Sequence, residues 1–329
     1  MKKAKIYIKY IKKFVRLISF FVILGILISV TTFMVMPKGN SKNDGMFNPN
    51  SRGFYSEPKN SLDVVAIGNS NAYSGFSPME LWHNYGITSY VCGEGRQRMS
   101  EAVNMLKEVL TFHKPKLVIL ETDLIFTKSS KKSETNETLN YAAQGIFPII
   151  RYHDRWKDAS CQEMFAQPEY KWNVYSKGQY VSNEVKKYTS DDYRHKSNDV
   201  REMSFLVKYY LDEFVKICKD NDIPLLFVKL PCAKSWSYDR HNAIQEYADQ
   251  HNIKYLDYEM DENRHGIDWK TDTRDEGTHL NVRGARKATV YLGQYLKENF
   301  DFFEDRRGDS DIAKKWDKDY KKYSSIAKI

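Results

Sequence analysis

The stretch "DVVAIGNSNAYSGFSPMELW", residues 63–82, decides how the chain is read. Its first six residues are a short apolar run of the kind that makes a buried strand. The run stops at Gly68-Asn69-Ser70-Asn71, and a helix start follows: Ser77 as N-cap, Pro78 at the first helical position, Glu80 three after the cap. A strand that turns this sharply into a helix sets the hydroxyl of Ser70 at the rim of a sheet. Gly, Asn and Ser are also ordinary turn residues, so the corner alone specifies no chemistry.

Working outward, the alternation continues. Strands are expected at 87–93 ("ITSYVCG"), 116–122 ("KLVILET"), 223–230 ("IPLLFVKL") and 253–258 ("IKYLDY"). Helical spacing of apolar residues marks 98–114, 201–221, 237–252 and 282–300. Strands alternating with helices predict a mostly parallel sheet covered on both faces. Residues 123–200 interrupt the pattern with polar and aromatic segments, "RYHDRW" at 151–156 and "YKWNVYSKGQY" at 170–180, and read as an insertion over the core. The core domain then spans 61–300, and the densely charged residues 301–329 read as a surface helix or loose tail.

Leu17 to Met36 carries no charge over 20 residues. At about 1.5 Å per residue it reaches roughly 30 Å, the thickness of bilayer hydrocarbon. A signal peptide would have a shorter apolar core and a small-residue cleavage site, which "MVMPKG" is not. The segment therefore reads as a retained transmembrane helix, 17–36, after a basic segment, 1–16. Lys2, Lys3, Lys5, Lys9, Lys12, Lys13 and Arg16 put the N-terminus in the cytoplasm by the positive-inside rule and the rest outside. Those seven cations account for most of the net charge of +8. The basic balance is thus local, and with no basic stripe interleaved with aromatics, nucleic acid is not an expected partner. Residues 37–60, rich in Gly, Asn and Ser, read as a linker. Cys92, Cys161, Cys218 and Cys232 show no metal spacing; they are free thiols or, for Cys218 and Cys232, one bridge. No metal or organic cofactor is expected.

A serine hydroxyl needs a base to become a nucleophile. Of eight histidines, His83, His113, His241 and His251 fall on helices or their ends, His153 and His195 lie in the insertion, and His265 sits in a loop. His279 stands apart in "TRDEGTHLNVRGA", just before the last helix, with Asp275 four and Glu276 three residues upstream. A carboxylate on that turn can accept from Nδ1–H and leave Nε2 free for the serine proton.

Together these features resemble the SGNH (GDSL-like) hydrolase family. "IGNSNAYSG" matches its first block, with Ser70 as the implied nucleophile and Asn69 where lipolytic members carry Asp. "VCGEGRQ" offers Gly93, or less well Gly95, as the oxyanion donor of the second block. The third block lacks its asparagine; Thr122 or Asp123 occupies the place in "LETDLIF". Glu276-Gly-Thr-His279 keeps the spacing of the last block and Asp275 keeps its residue type, so both acids stay open as the partner of His279. The resemblance covers roughly 62–126 and 201–300. It implies a flavodoxin-like three-layer α/β/α domain and an esterase or acyltransferase working through an acyl-serine. The anchored layout is similar to proteins of cell-surface polysaccharide O-acylation and to the D-alanyl teichoic acid biosynthesis protein. That likeness implies an envelope glycan or acyl ester as substrate, and a multispanning acyltransferase as a partner. Alternatives are a plain tethered esterase or lipase, and a non-catalytic partner with a decayed site. Trp156, Trp172, Tyr175 and Tyr180 could stack on sugars or pack the insertion. Arg151, His153, Asp154 and Arg155 could contact substrate or pin the insertion through ion pairs.

Overall fold

The computed structural model describes residues 2–127, 131–189, 193–260 and 266–328, and the backbone alone for 2–6 and 131. His265 lies outside the described residues. Five parallel strands, β1 (Val64–Gly68), β2 (Ser89–Gly93), β3 (Leu117–Glu121), β4 (Leu225–Lys229) and β5 (Lys254–Asp257), form one sheet in the order β2-β1-β3-β4-β5. This is the doubly wound order whose switch point falls between β1 and β3, where functional groups gather at the carboxyl ends of the strands. The main helices are α1 (Lys2–Val35), α2 (Ser70–Gly75), α3 (Pro78–Tyr85), α4 (Met99–Leu110), α5 (Lys131–Ile146), α6 (Phe205–Asp220), α7 (Tyr238–His251), α8 (Val282–Asn299) and α9 (Ser310–Ala327).

β1 to β4 are mostly apolar because both faces of the sheet are covered, with Ser89, Glu121 and Lys229 as buried polar residues at strand ends. Val65, Ile67, Val118, Leu120 and Phe227 pack with α4, α6 and α7. The alternate residues Val64, Ala66, Leu117, Ile119 and Val228 pack with α2, α3 and α8. The result is the three-layer α/β/α arrangement expected, with every strand one or two residues shorter at its ends than the apolar runs suggested.

Three expectations change. The polar stretch after α1 is folded onto the domain rather than free. Asn40 exchanges hydrogen bonds with the Trp172 backbone at 2.9 Å, and buried Arg52 pairs with Glu94 at 2.6 Å and Glu108 at 2.9 Å. Its composition signalled turns, but the buried cation was the telling residue. The charged C-terminal segment contains α9, which buries Trp316 and Tyr323 against the core. Lys177 of the insertion reaches Asp319 of this helix at 2.6 Å and Glu57 at 2.7 Å, all three shielded from solvent. Finally, Ser77 occupies the N-cap of α3, but its hydroxyl bonds Tyr323 at 3.0 Å instead of capping the helix. The four cysteines are free, three of them buried.

Helix α1 contains a run, Tyr7–Val35, long and apolar enough to cross a membrane; its most apolar stretch has mean hydropathy 2.5 and is almost wholly exposed, while the end near Val35 is packed against the insertion.

Candidate active site

The end of β1 delivers Ser70. Asn69 is the extended cap of α2: its side-chain Oδ1 accepts from Asn71 N at 2.9 Å, and its carbonyl accepts from Ala72 N at 3.1 Å. The N–H of Ser70, first in the helix, is one of those that helix geometry leaves without an intrahelical partner.

The loop before α8 delivers His279. Its Nε2 lies 2.7 Å from Ser70 Oγ, and its Nδ1 lies 2.5 Å from Asp275 Oδ2. Asp275 Oδ1 accepts from the His279 backbone N–H at 2.6 Å, so one carboxylate holds the residue at two points. With Nδ1 facing the carboxylate, the neutral ring carries its proton there and presents the Nε2 lone pair to Ser70. The two acids left open by the sequence are thereby separated. Glu276 and Gly277 both have left-handed backbone, φ 60° and 86°, and this double turn swings Glu276 into solvent beside Lys234 at 3.4 Å. The double left-handed turn is why Asp275, and not the nearer Glu276, reaches the imidazole.

The loop is held from several sides. Thr273 Oγ1 donates to His279 O at 2.9 Å and accepts from Gly277 N at 2.8 Å. Cys232 Sγ donates to Thr278 O at 3.0 Å, and Glu276 N donates to Lys186 O at 3.0 Å. The insertion therefore runs along the site: 174–188 also bonds Val91, Tyr73, Thr273, Trp269 and Val282 through its backbone.

The remaining sequence candidates divide. Gly93 lies at the end of β2 against the serine turn; a Cβ there would sit 3.1 Å from Tyr73 and 3.2 Å from Asn69 O. With Tyr73, Glu94, Gly95, Asn48 and Tyr180 it lines a cleft of about 260 Å³. Thr122 is corrected: it is fully buried and its hydroxyl turns to Val228 O, at 3.4 Å. Asp123 is corrected as well. It accepts from Asn69 Nδ2 at 2.9 Å, Ser235 Oγ at 2.5 Å and Lys229 Nζ at 3.2 Å. Burial opposes its charge, but the Lys229 ammonium and these hydrogen bonds prevail and hold the carboxyl at about 2. An acceptor-only carboxylate cannot stabilise an oxyanion; it supports the serine turn through Asn69, whose own amide is thus occupied. Neighbouring Glu121 is pushed up to about 8, by burial first, despite Lys229 at 3.8 Å.

Tyr73 was missed in the sequence. It stands beside Ser70 on the rim of the cleft, and burial raises its hydroxyl pKa, so it remains a donor. It sits three residues after Ser70 on α2, a spacing that returns to the same helix face and was available as a signal. Of the other histidines, His241 also meets a carboxylate, Asp257, at 2.7 Å, but that oxygen is shared with Trp236 and Tyr255 in a packed cluster. Among the described residues no group of side chains has the makings of a metal site.

No family model matches the chain, and no curated protein matches it. Solved structures similar to it include a protein assigned to the G-D-S-L lipolytic family from Desulfitobacterium hafniense, at 15% identity and TM-score 0.39, covering 71% of this chain and 98% of that one. A GDSL-like lipase from Bacteroides thetaiotaomicron is similar at 11% identity and TM-score 0.39, covering 77% and 99% respectively. At such values the chemistry is carried by the geometry of Ser70, His279 and Asp275.

Proposed function

We propose that the protein is a serine acyl-ester hydrolase or O-acyltransferase, anchored in the cell membrane by α1 and acting outside the cytoplasm on acylated envelope polysaccharide. The observation that carries the chemistry is the continuous hydrogen-bonded chain from Ser70 through His279 to Asp275. In the proposed reaction Ser70 Oγ attacks the ester carbonyl while His279 Nε2 takes its proton. The tetrahedral oxyanion is met by the N–H of Ser70 and the donors of the Gly93 and Tyr73 rim. The imidazolium, steadied by Asp275, then returns the proton to the departing alkoxide oxygen, and an acyl-serine remains. A water or a sugar hydroxyl attacks that ester, giving up its proton to His279, and Ser70 is released. Transfer prevails over hydrolysis where a bound acceptor displaces water.

The cleft beside Gly93, with exposed Tyr180 and the Arg274 guanidinium 4.6 Å from its ring centre, supports a polar, ring-shaped ligand. The anchored reading is supported by α1 and its basic flank. A decayed, non-catalytic site is disfavoured by the intact hydrogen-bond geometry. The test is ester turnover by the full-length protein, with acetylated glycan as acyl donor and unacylated glycan as acceptor. Ser70→Ala is expected to lower turnover on the order of 10⁶-fold; turnover equal to wild type contradicts the assignment.

A further inference from the structure

The end of α1 is built into the insertion. Arg155 Nη1 donates to Val35 O at 2.8 Å, Glu169 N donates to Lys38 O at 2.6 Å, and Arg155 also pairs with Glu163. Residues 149–152, 153–157 and 161–164 pack around this end of the helix. The charge-free run of α1 finishes at Met36, so the packed segments stand where about 30 Å of hydrocarbon would give way to headgroups.

Large apolar side chains stand exposed on and beside these same segments: Ile146 at 71%, Phe147 at 42%, Ile150 at 39%, Trp156 at 62% and Phe165 at 62%. Soluble surfaces seldom gather so many large apolar side chains. Trp156 stands between Arg155 and Lys157, with Arg151 and His153 nearby and Asp154, Asp158 and Glu163 balancing their charge, and a tryptophan flanked by cations is a feature of membrane interfaces. We propose that residues 146–165 form a collar that lies in the outer headgroup layer of the bilayer around the exit of α1. The occupant of this surface is lipid. The collar rests on the anchored reading of α1 and adds that the domain is seated on the membrane in one orientation, rather than tethered by a free linker.

The test uses full-length protein in protein-free phosphatidylcholine–phosphatidylglycerol vesicles. Cys161→Ser removes the exposed thiol; the other three are buried. A polarity-sensitive fluorophore is placed on Ile150→Cys, on Phe165→Cys, on Leu24→Cys within α1, and on Gln250→Cys, exposed on α7. The expected result is blue-shifted emission at 150 and 165, quenched by shallow nitroxide lipids and several-fold less by aqueous iodide than at 250. Water-like labels at 150 and 165 with a lipid-shielded label at 24 would overturn the collar and leave the anchor standing. A water-like label at 24 as well would overturn both. Shielding at 150 and 165 only after other membrane proteins are added would assign the surface to a protein partner and overturn the lipid proposal. Ester turnover by Ser70 is read separately and is unaffected by any of these outcomes.

Discussion

His279 is held by Asp275 at its Nδ1 and at its backbone N–H, which places one carboxylate in control of both ring orientation and tautomer. Asp275→Asn removes the charge and permits the wrong tautomer, and is expected to lower kcat on the order of 10⁴-fold with an unchanged melting temperature. Glu276→Gln should leave turnover at wild-type level, since its carboxylate faces solvent. Steady-state kinetics on the two variants checks the pair; equal losses would contradict the assignment of the acid. Gly93→Ala pushes a methyl toward Tyr73 and the Asn69 carbonyl, and a loss on the order of 10²-fold follows from displacing the serine turn. Most of this site was legible in the chain. Ser70 and Gly93 lie where strand ends deliver them, and strand ends show as breaks in apolar runs; His279 showed by its acidic loop before the last helix. Thr122 and Asp123 were misread because residue type and position after β3 do not say which way a side chain turns. What decided it was Lys229, a buried cation on β4 that claimed Asp123. The choice between Asp275 and Glu276 needed two successive left-handed residues, and only Gly277 hinted at them.

At the level of elements, the sheet was readable because strands covered on both faces are apolar runs, and those runs stand out against helical spacing. For the charged tail a surface helix was one reading, but the burial of α9 against the core was not legible, because its charged residues outnumber the few that are buried. Trp316→Ala should nonetheless destabilise the fold by roughly 3–5 kcal/mol, measured by denaturant unfolding. The β3–β4 carboxylates give stability a pH dependence. Glu121 in the fold titrates at about 8, above its ordinary 4.5, so its contribution to stability is present in acid and lost as pH rises between those values. Asp123 runs the other way: its contribution is present above its ordinary 3.8 and lost as pH falls toward about 2. Glu121→Gln should therefore flatten the decline of the melting temperature between pH about 5 and about 8. Parallel melting curves for the variant and wild type across that range would contradict the buried, proton-binding state of Glu121.

For the whole molecule, the stretch after α1 and the insertion act as a single mount. The polar composition of 37–60 pointed to a flexible tether, and the structure differs because Arg52, Asn40 and Lys38 find partners far along the chain. Such long-range pairings leave no local pattern. The mount leads from Val35 to Ser51, whose hydroxyl donates to Gly93 O at 2.7 Å, so the candidate cleft is built partly from the segment that follows the anchor. A protein cut free at residue 60 should then lose stability and cleft together, whereas one cut at residue 36 should keep both. Whether the rim performs acyl chemistry is tested most directly by treating the folded full-length protein with a fluorophosphonate and locating the adduct by peptide mass spectrometry. The account predicts one covalent phosphonyl group, on Ser70, formed orders of magnitude more slowly in His279→Ala. A folded protein whose Ser70 stays unmodified, or reacts equally fast without His279, would contradict it.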